Sequence, residues 1–201
     1  MKLSTEALEI PATAIEATIT LCPFVIVIDN REKAPYSFTE LPLKTKYSRK
    51  KDTPTTLYIP TETRYLPTGD YSIDGLEQHF ALERKSLEDL YGTIGQHRER
   101  FEAELERLNA LDFAAVIIEA TQREIWAPSR HRPDWRSKLD PRSVEGSIVA
   151  WSIRYPKVHW WAVGGRREGE IRAFEACEKF WMETQKKEKE NKEQETEELT
   201  Q

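Results

Sequence analysis

A chain of 201 residues, 38% hydrophobic and 32% charged, suits one domain with a single substantial core and a polar surface. Its net charge of −5 argues against a generic polyanion binder, and no apolar run nears the roughly 20 residues a membrane-spanning helix requires. Cys22 and Cys177 lie far apart, with no CxxC and no Cys/His ligand spacing, so buried free thiols in a reducing compartment are expected rather than a disulfide framework or a zinc module.

The first residues carry Glu6, Glu9 and Glu16 and lack a basic start leading into an apolar block, unlike a secretory signal. Pro11 breaks any helix there, so residues 1–22 are expected as a loosely packed arm before a domain spanning 23–182. Residues 24–28, FVIVI, form a short β-branched run that ends in the polar DNRE turn. That pattern predicts a buried central strand with Asp29 at its C-terminal end. Residues 36–67 hold four prolines, the basic patch KTKYSRKK and then TTLYI, which predicts a loop feeding one or two strands.

After Gly69 and Asp70, the Asp74–Gly75 pair marks a turn between two extended segments, the second covering 79–85. Helix is predicted from Ser86 on the spacing of Leu87, Leu90, Tyr91 and Ile94. Gly92 and Gly95 weaken it, and it resumes through Phe101, Leu105 and Leu108. FAAVII at 113–118 is a second buried strand. A polar loop with Trp126, Arg130, Arg132, Trp135, Arg136 and Lys138 leads to Asp140–Pro141, an N-cap followed by proline at the first helical position. That helix carries the stripe Val144, Ile148, Trp151 and Tyr155, while Gly146 and Ala150 would let a neighbour approach.

Residues 157–163 predict another strand, closed by Gly164–Gly165, and a last helix turns Ile171, Phe174, Cys177 and Trp181 inward. Residues 183–201 hold seven Glu and four Lys without an apolar stripe, a solvated helical extension or a disordered tail. The tail contributes −3 of the net charge, which leaves −2 for the body, where local basic clusters can still act. Together these elements define an α/β domain with a central mixed sheet and helices on both faces.

One constellation stands out in this frame. Side chains two apart on a strand share a face, so Glu83 and Lys85 lie with Ala81 while Phe80 and Leu82 face the other way. Asp70 comes thirteen residues before Glu83 on a segment expected to pair with this strand, and Asp29 ends FVIVI. Phosphodiester hydrolysis uses such a set. Carboxylates hold a hard divalent cation, the cation activates water and neutralises phosphoryl charge, and an ammonium stabilises developing charge. Spacing alone is weak evidence, since short acid-and-lysine patterns recur by chance.

VIDNRE, GDYSI and ERKSLEDL resemble the motifs of XPF-type (xeroderma pigmentosum group F) structure-selective endonucleases, the GD…ERKxxxD family. These belong to the restriction-endonuclease-like superfamily with its PD-(D/E)xK core. The similarity continues through LDPRSVEGSIVAWSIRYPKVHWWAVGG and covers residues 24–182. It implies a Mg²⁺- or Mn²⁺-dependent DNA endonuclease acting on branched or flapped DNA in repair, recombination or phage DNA processing. It further implies a homodimer and no nucleotide cofactor. The lone compact form looks most like bacterial or phage members, hence a cytoplasmic location. Asp29, Asp70 and Glu83 match metal-ligand positions, Glu32 an acid of the first motif and Lys85 the catalytic lysine. Arg31, Arg84 and Asp89 match supporting positions. Two departures stand out: the charged tail is no counterpart of a tandem helix-hairpin-helix module, and residues 39–64 differ from the short helix usual after the first motif.

Several residues carry two readings. Asp89 fits a capping box with Ser86, reaching back to the backbone, as well as the motif. Arg84 suits an internal ion pair or a phosphate contact, and Arg31 braces Asp29 or Glu32. Lys44, Lys46, Arg49, Lys50 and Lys51 form either a solvated loop or a clamp on the DNA backbone. Arg98, Arg130, Arg132 and Arg136 are candidate phosphate contacts or solvated side chains, and Trp126 and Trp135 stack on bases or anchor packing. The alternative to an enzyme is a DNA-binding or assembly subunit that keeps the nuclease fold without cutting.

Overall fold

The structure is a computed structural model that describes residues 18–41 and 55–199. The described strands are β1 (Thr18–Leu21), β2 (Ile26–Asp29), β3 (Thr55–Tyr58), β4 (Thr61–Arg64), β5 (Tyr71–Ile73), β6 (Phe80–Lys85), β7 (Phe113–Ile118) and β8 (Val158–Ala162). The helices are α1 (Leu87–Gln96), α2 (Arg98–Ala110), α3 (Gln122–Trp126), α4 (Pro128–His131), α5 (Pro141–Arg154) and α6 (Arg166–Leu199). Six strands form one mixed sheet in the order β4-β2-β5-β6-β7-β8. β5 runs antiparallel to both β2 and β6, whereas β2–β4, β6–β7 and β7–β8 are parallel.

Alternation along β6 divides the core. Ala81 belongs to one cluster with Leu87, Leu90, Phe101 and Leu105 of α1 and α2, and with Val144 and Trp151 of α5. Phe80 and Leu82 belong to the other, with Ile26 and Ile28 of β2 and Ala173, Phe174 and Cys177 of α6. Helices thus cover both faces of a mixed sheet, as the pattern of elements predicted. β2 is buried at all four positions, which is why FVIVI reads as a continuous apolar run rather than an alternating one.

The chain departs from the sequence reading at several points. Thr18–Leu21 is not arm but a strand, paired in parallel with β3. The helix after Ser86 does not break at its glycines: Gly92 and Gly95 lie within α1, and the break falls at His97. Asp74–Gly75 opens a longer connection to β6, held by the Leu76 and His79 backbone. Gly146 meets nothing within 4 Å where a Cβ would stand, so that side of α5 faces open space. By contrast, α6 continues to Leu199, so the charged segment 183–199 takes the helical-extension alternative of the sequence reading. Among the described residues no helix is long and apolar enough to cross a membrane.

Candidate active site

The cleft opens where β2, β6 and the turn before β5 end together beside α1 and α2. Gly69 makes the crossing with a φ of +72°, and a Cβ there would stand 2.9 Å from Ala81 Cβ and 3.0 Å from the Leu82 carbonyl oxygen. Only glycine meets both demands without strain. Asp70 follows as the joint between strands. Its carbonyl accepts from Asp29 N–H at 2.8 Å and its N–H donates to Leu82 O at 2.7 Å. Its carboxylate Oδ2 accepts from Arg84 N–H at 2.7 Å, extending the ladder by one side-chain rung.

Glu83 sits on the same face of β6 as Lys85, only 7% exposed, and accepts from the Lys85 ammonium. That ammonium also lies 4.9 Å above the Phe101 ring, whose π-face attracts a cation. Burial and then the Glu83 charge push the Asp70 carboxyl well above its ordinary value. Burial likewise raises Glu83, against the opposing pull of Lys85. At Lys85 burial lowers the pKa, but Glu83 and Asp70 outweigh it and hold the group above its ordinary value.

Asp29 is the surprise of the site. Oδ1 accepts from Arg31 N–H at 2.7 Å and from Arg31 Nε at 2.8 Å. Oδ2 accepts from Arg31 Nη2 at 2.9 Å and from Leu66 N–H at 2.8 Å. A carboxylate has about four lone-pair positions, so this one is fully engaged. Burial pushes its carboxyl up, yet the Arg31 and Leu66 hydrogen bonds together hold it below the ordinary value. Arg31 braces Asp29, not Glu32, and closes the ring through Leu66 O at 2.7 Å. Asp29 thus lines the cleft and also anchors the 65–67 turn.

Arg84 takes the ion-pair reading. It points to the opposite face, where Nε and Nη2 donate to Glu119 at 2.8 and 2.9 Å and Nη1 donates to Glu32 at 3.4 Å. Asp89 is a partial correction. Ser86 Oγ accepts from Asp89 N–H at 3.0 Å as an N-cap should, but the Asp89 carboxylate takes the Ser86 hydroxyl at 2.9 Å rather than a backbone donor. It remains exposed at the cleft wall.

The structure brings Asp29, Arg31, Glu32, Asp70, Glu83, Lys85 and Asp89 to one cleft of about 430 Å³. It keeps other candidates elsewhere. Arg98 donates to Ser147 Oγ at 2.8 Å and lies 4.7 Å over the Trp151 ring, bracing α5. Arg132 pairs with Glu88 at 3.1 Å and Glu124 at 3.4 Å. Arg130 and Arg136 are exposed. Trp135 packs edge-on against Tyr91 at 4.7 Å, while Trp126 is 48% exposed. Lys44, Lys46, Arg49, Lys50 and Lys51 lie outside the described residues.

Two positioning residues escaped the sequence reading. Glu104 of α2 accepts from the Thr68 hydroxyl and from Gly69 N–H, pinning the turn that delivers Asp70. Glu119 follows β7 as Asp29 ends β2, an acid closing a buried β-branched run, and the same signal would have found it. Arg100 and His97 also line the cleft.

Among the described residues no three His, Cys, Asp or Glu side chains converge as a metal cage. The donor set nonetheless fits a hard cation. The Glu83 charge adds to burial in raising the Asp70 carboxyl, and Mg²⁺ is commonly held by one or two carboxylates, with water and phosphate completing the shell.

A mixed six-stranded sheet flanked by helices on both faces, with its acids and lysine gathered at one end, is the restriction-endonuclease-like architecture of the XPF nuclease domain. The ERCC4 domain model matches residues 28–168, well over half of the chain, and the chain belongs to that family. Among solved structures, XPF from Aeropyrum pernix in complex with DNA is similar at 17% identity and a TM-score of 0.50, over 80% of this chain and 66% of that one. A second structure of XPF from Aeropyrum pernix gives 17% identity and a TM-score of 0.51, over 83% and 69%. The chain thus spans about two thirds of the length of the first of these structures. Comparison with curated proteins returns no match.

Proposed function

We propose that the chain is a divalent-metal-dependent DNA endonuclease. The observation that carries this reading is the union of Asp70, Glu83 and Lys85 in one cleft, from two strands, with both carboxyls raised by burial and Lys85 held as an ammonium. Asp70 and Glu83 would hold Mg²⁺ or Mn²⁺. When bound, the ion lowers the pKa of water and offsets charge on the phosphoryl group. Lys85 Nζ carries a proton that can be donated to a non-bridging phosphate oxygen or to the attacking water's oxygen, stabilising charge as it develops. Arg84 N–H fixes one Asp70 oxygen, and Asp70 lines the cleft. Arg31 is 60% exposed and adds positive charge at the rim.

A second reading, a DNA-binding or assembly subunit without cleavage, is favoured by the fully engaged Asp29 carboxylate. The homodimer expected from the resemblance would use Val149 and Ile153 of α5, which are 55% and 76% exposed. The test is metal-dependent cutting of linear, flapped and four-way DNA, with Lys85→Ala run in parallel. The wild type should cut in Mg²⁺ or Mn²⁺ and the variant should lose at least a hundredfold in rate, the scale for removing one charge-stabilising donor. Equal DNA binding by both proteins, with no cutting in any divalent ion, would sink the enzyme reading.

A further inference from the structure

The wall of the cleft is α1, and the same helix walls a second hollow of about 820 Å³ on its other side. Glu88 and Gly92 line both, so the two hollows adjoin across the helix. Glu88, Gly92 and Gln96 recur every four residues and form one ridge along α1. Gly92 is the gap in that ridge. A Cβ built there meets nothing within 4 Å, so no neighbour in the fold requires a glycine. In a helix interior it costs about 1 kcal/mol against alanine, a cost without return in packing.

Charge follows the same line. Glu88 would repel a polyanion at the saddle, but Arg132 pairs with it at 3.1 Å. At the cleft end Arg100 makes no ion pair among the described residues, and neither does Arg136 at the far end. The floor beyond the saddle is firm, because Trp135 packs edge-on against Tyr91, whose hydroxyl donates to Ile125 O at 2.6 Å.

We propose that the two hollows together form a groove that carries a DNA strand, crossing α1 at Gly92 and meeting Arg136 beyond it. The proposal rests on the nuclease reading and adds to it the path of the strand that flanks the cut. Gly92 lets the sugar–phosphate backbone cross the ridge where any side chain would obstruct it.

Gly92 offers a direct test, since a Cβ there meets nothing within 4 Å and replacing glycine gains helix propensity. Binding of a fluorescein-labelled flapped DNA is measured by anisotropy, with Ca²⁺ replacing Mg²⁺ so that affinity is read apart from cutting. Gly92→Ala should melt higher than wild type and bind severalfold more weakly. Gly92→Trp should melt no lower than wild type and bind at least tenfold more weakly. Arg136→Ala should reduce the slope of log affinity against log salt by about one, as for the loss of one phosphate contact. A folded Gly92→Trp that binds like wild type overturns the groove, and so does an unchanged salt slope in Arg136→Ala. Either result leaves the nuclease reading standing as long as wild type still cuts and Lys85→Ala does not. A wild type that binds no DNA overturns both.

Discussion

Asp70 and Glu83 are held in a charge state that the fold itself opposes. Burial and the Glu83 charge raise Asp70, and burial, with the Glu104 and Glu32 charges, raises Glu83, so their ionised forms make the folded protein less stable at neutral pH than neutral side chains would. Asp70→Asn keeps an acceptor for Arg84 N–H and removes that charge. It should abolish cutting and raise the melting temperature by a few degrees, given roughly 2–4 °C per kcal/mol in a chain of this size. Differential scanning calorimetry beside a nicking assay checks both halves, and a lower melting temperature would contradict the assignment. Glu83→Gln should likewise lose cutting with an unchanged far-UV signal, because the carboxylate lines the cleft rather than packing the core.

At the scale of elements, the site depends on a crossing that a single glycine permits. Gly69→Ala places a methyl 2.9 Å from Ala81 Cβ and forces a left-handed backbone on a residue that resists it. β6 is fixed on both sides by β5 and β7, so the turn must give instead. A loss of about 1–3 kcal/mol is expected in urea unfolding, with cutting falling further as Asp70 shifts. A variant as stable as wild type would mean that the turn relaxes freely. Much of this was legible beforehand. FVIVI and FAAVII announce buried strands, and ALERK places Glu83 and Lys85 on one face through simple alternation. The support of that arrangement was not legible. Glu104 reaches the Thr68–Gly69 turn across 35 residues, and helical periodicity says only that it flanks the stripe of Phe101, Leu105 and Leu108. Asp29 was legible as an acid at a strand end, but its engagement by Arg31 and Leu66 depends on where the 65–67 turn returns.

Over the whole molecule, two populations of carboxylates oppose each other as pH falls. Asp70 and Glu83, with raised folded values, take up protons first, so stability rises as pH drops from neutral towards the ordinary carboxylate range. At Glu170 burial raises the carboxyl, but hydrogen bonds from Arg167, Phe38 N–H and Ser37 outweigh it and leave it below its ordinary value. Asp29 and Glu104 are lowered in the same way. The stability these three provide is complete above the ordinary range and is lost as pH falls through their depressed values. Melting temperature against pH should therefore peak on the mildly acidic side of neutral. Asp70→Asn should flatten the rise, and Glu170→Gln should soften the acid limb. A monotonic fall from neutral pH in the wild type would count against the raised pair.

The alternation along β6 also acts as a proofreader. A slip of one residue in its pairing would turn Arg84 into the cleft and send Glu83 among the aromatic side chains of the opposite core. A chain in the wrong register is both unstable and chemically mute. Specific activity therefore counts correctly folded molecules, and for a protein whose proposed substrate is DNA, a half-formed copy poses little hazard.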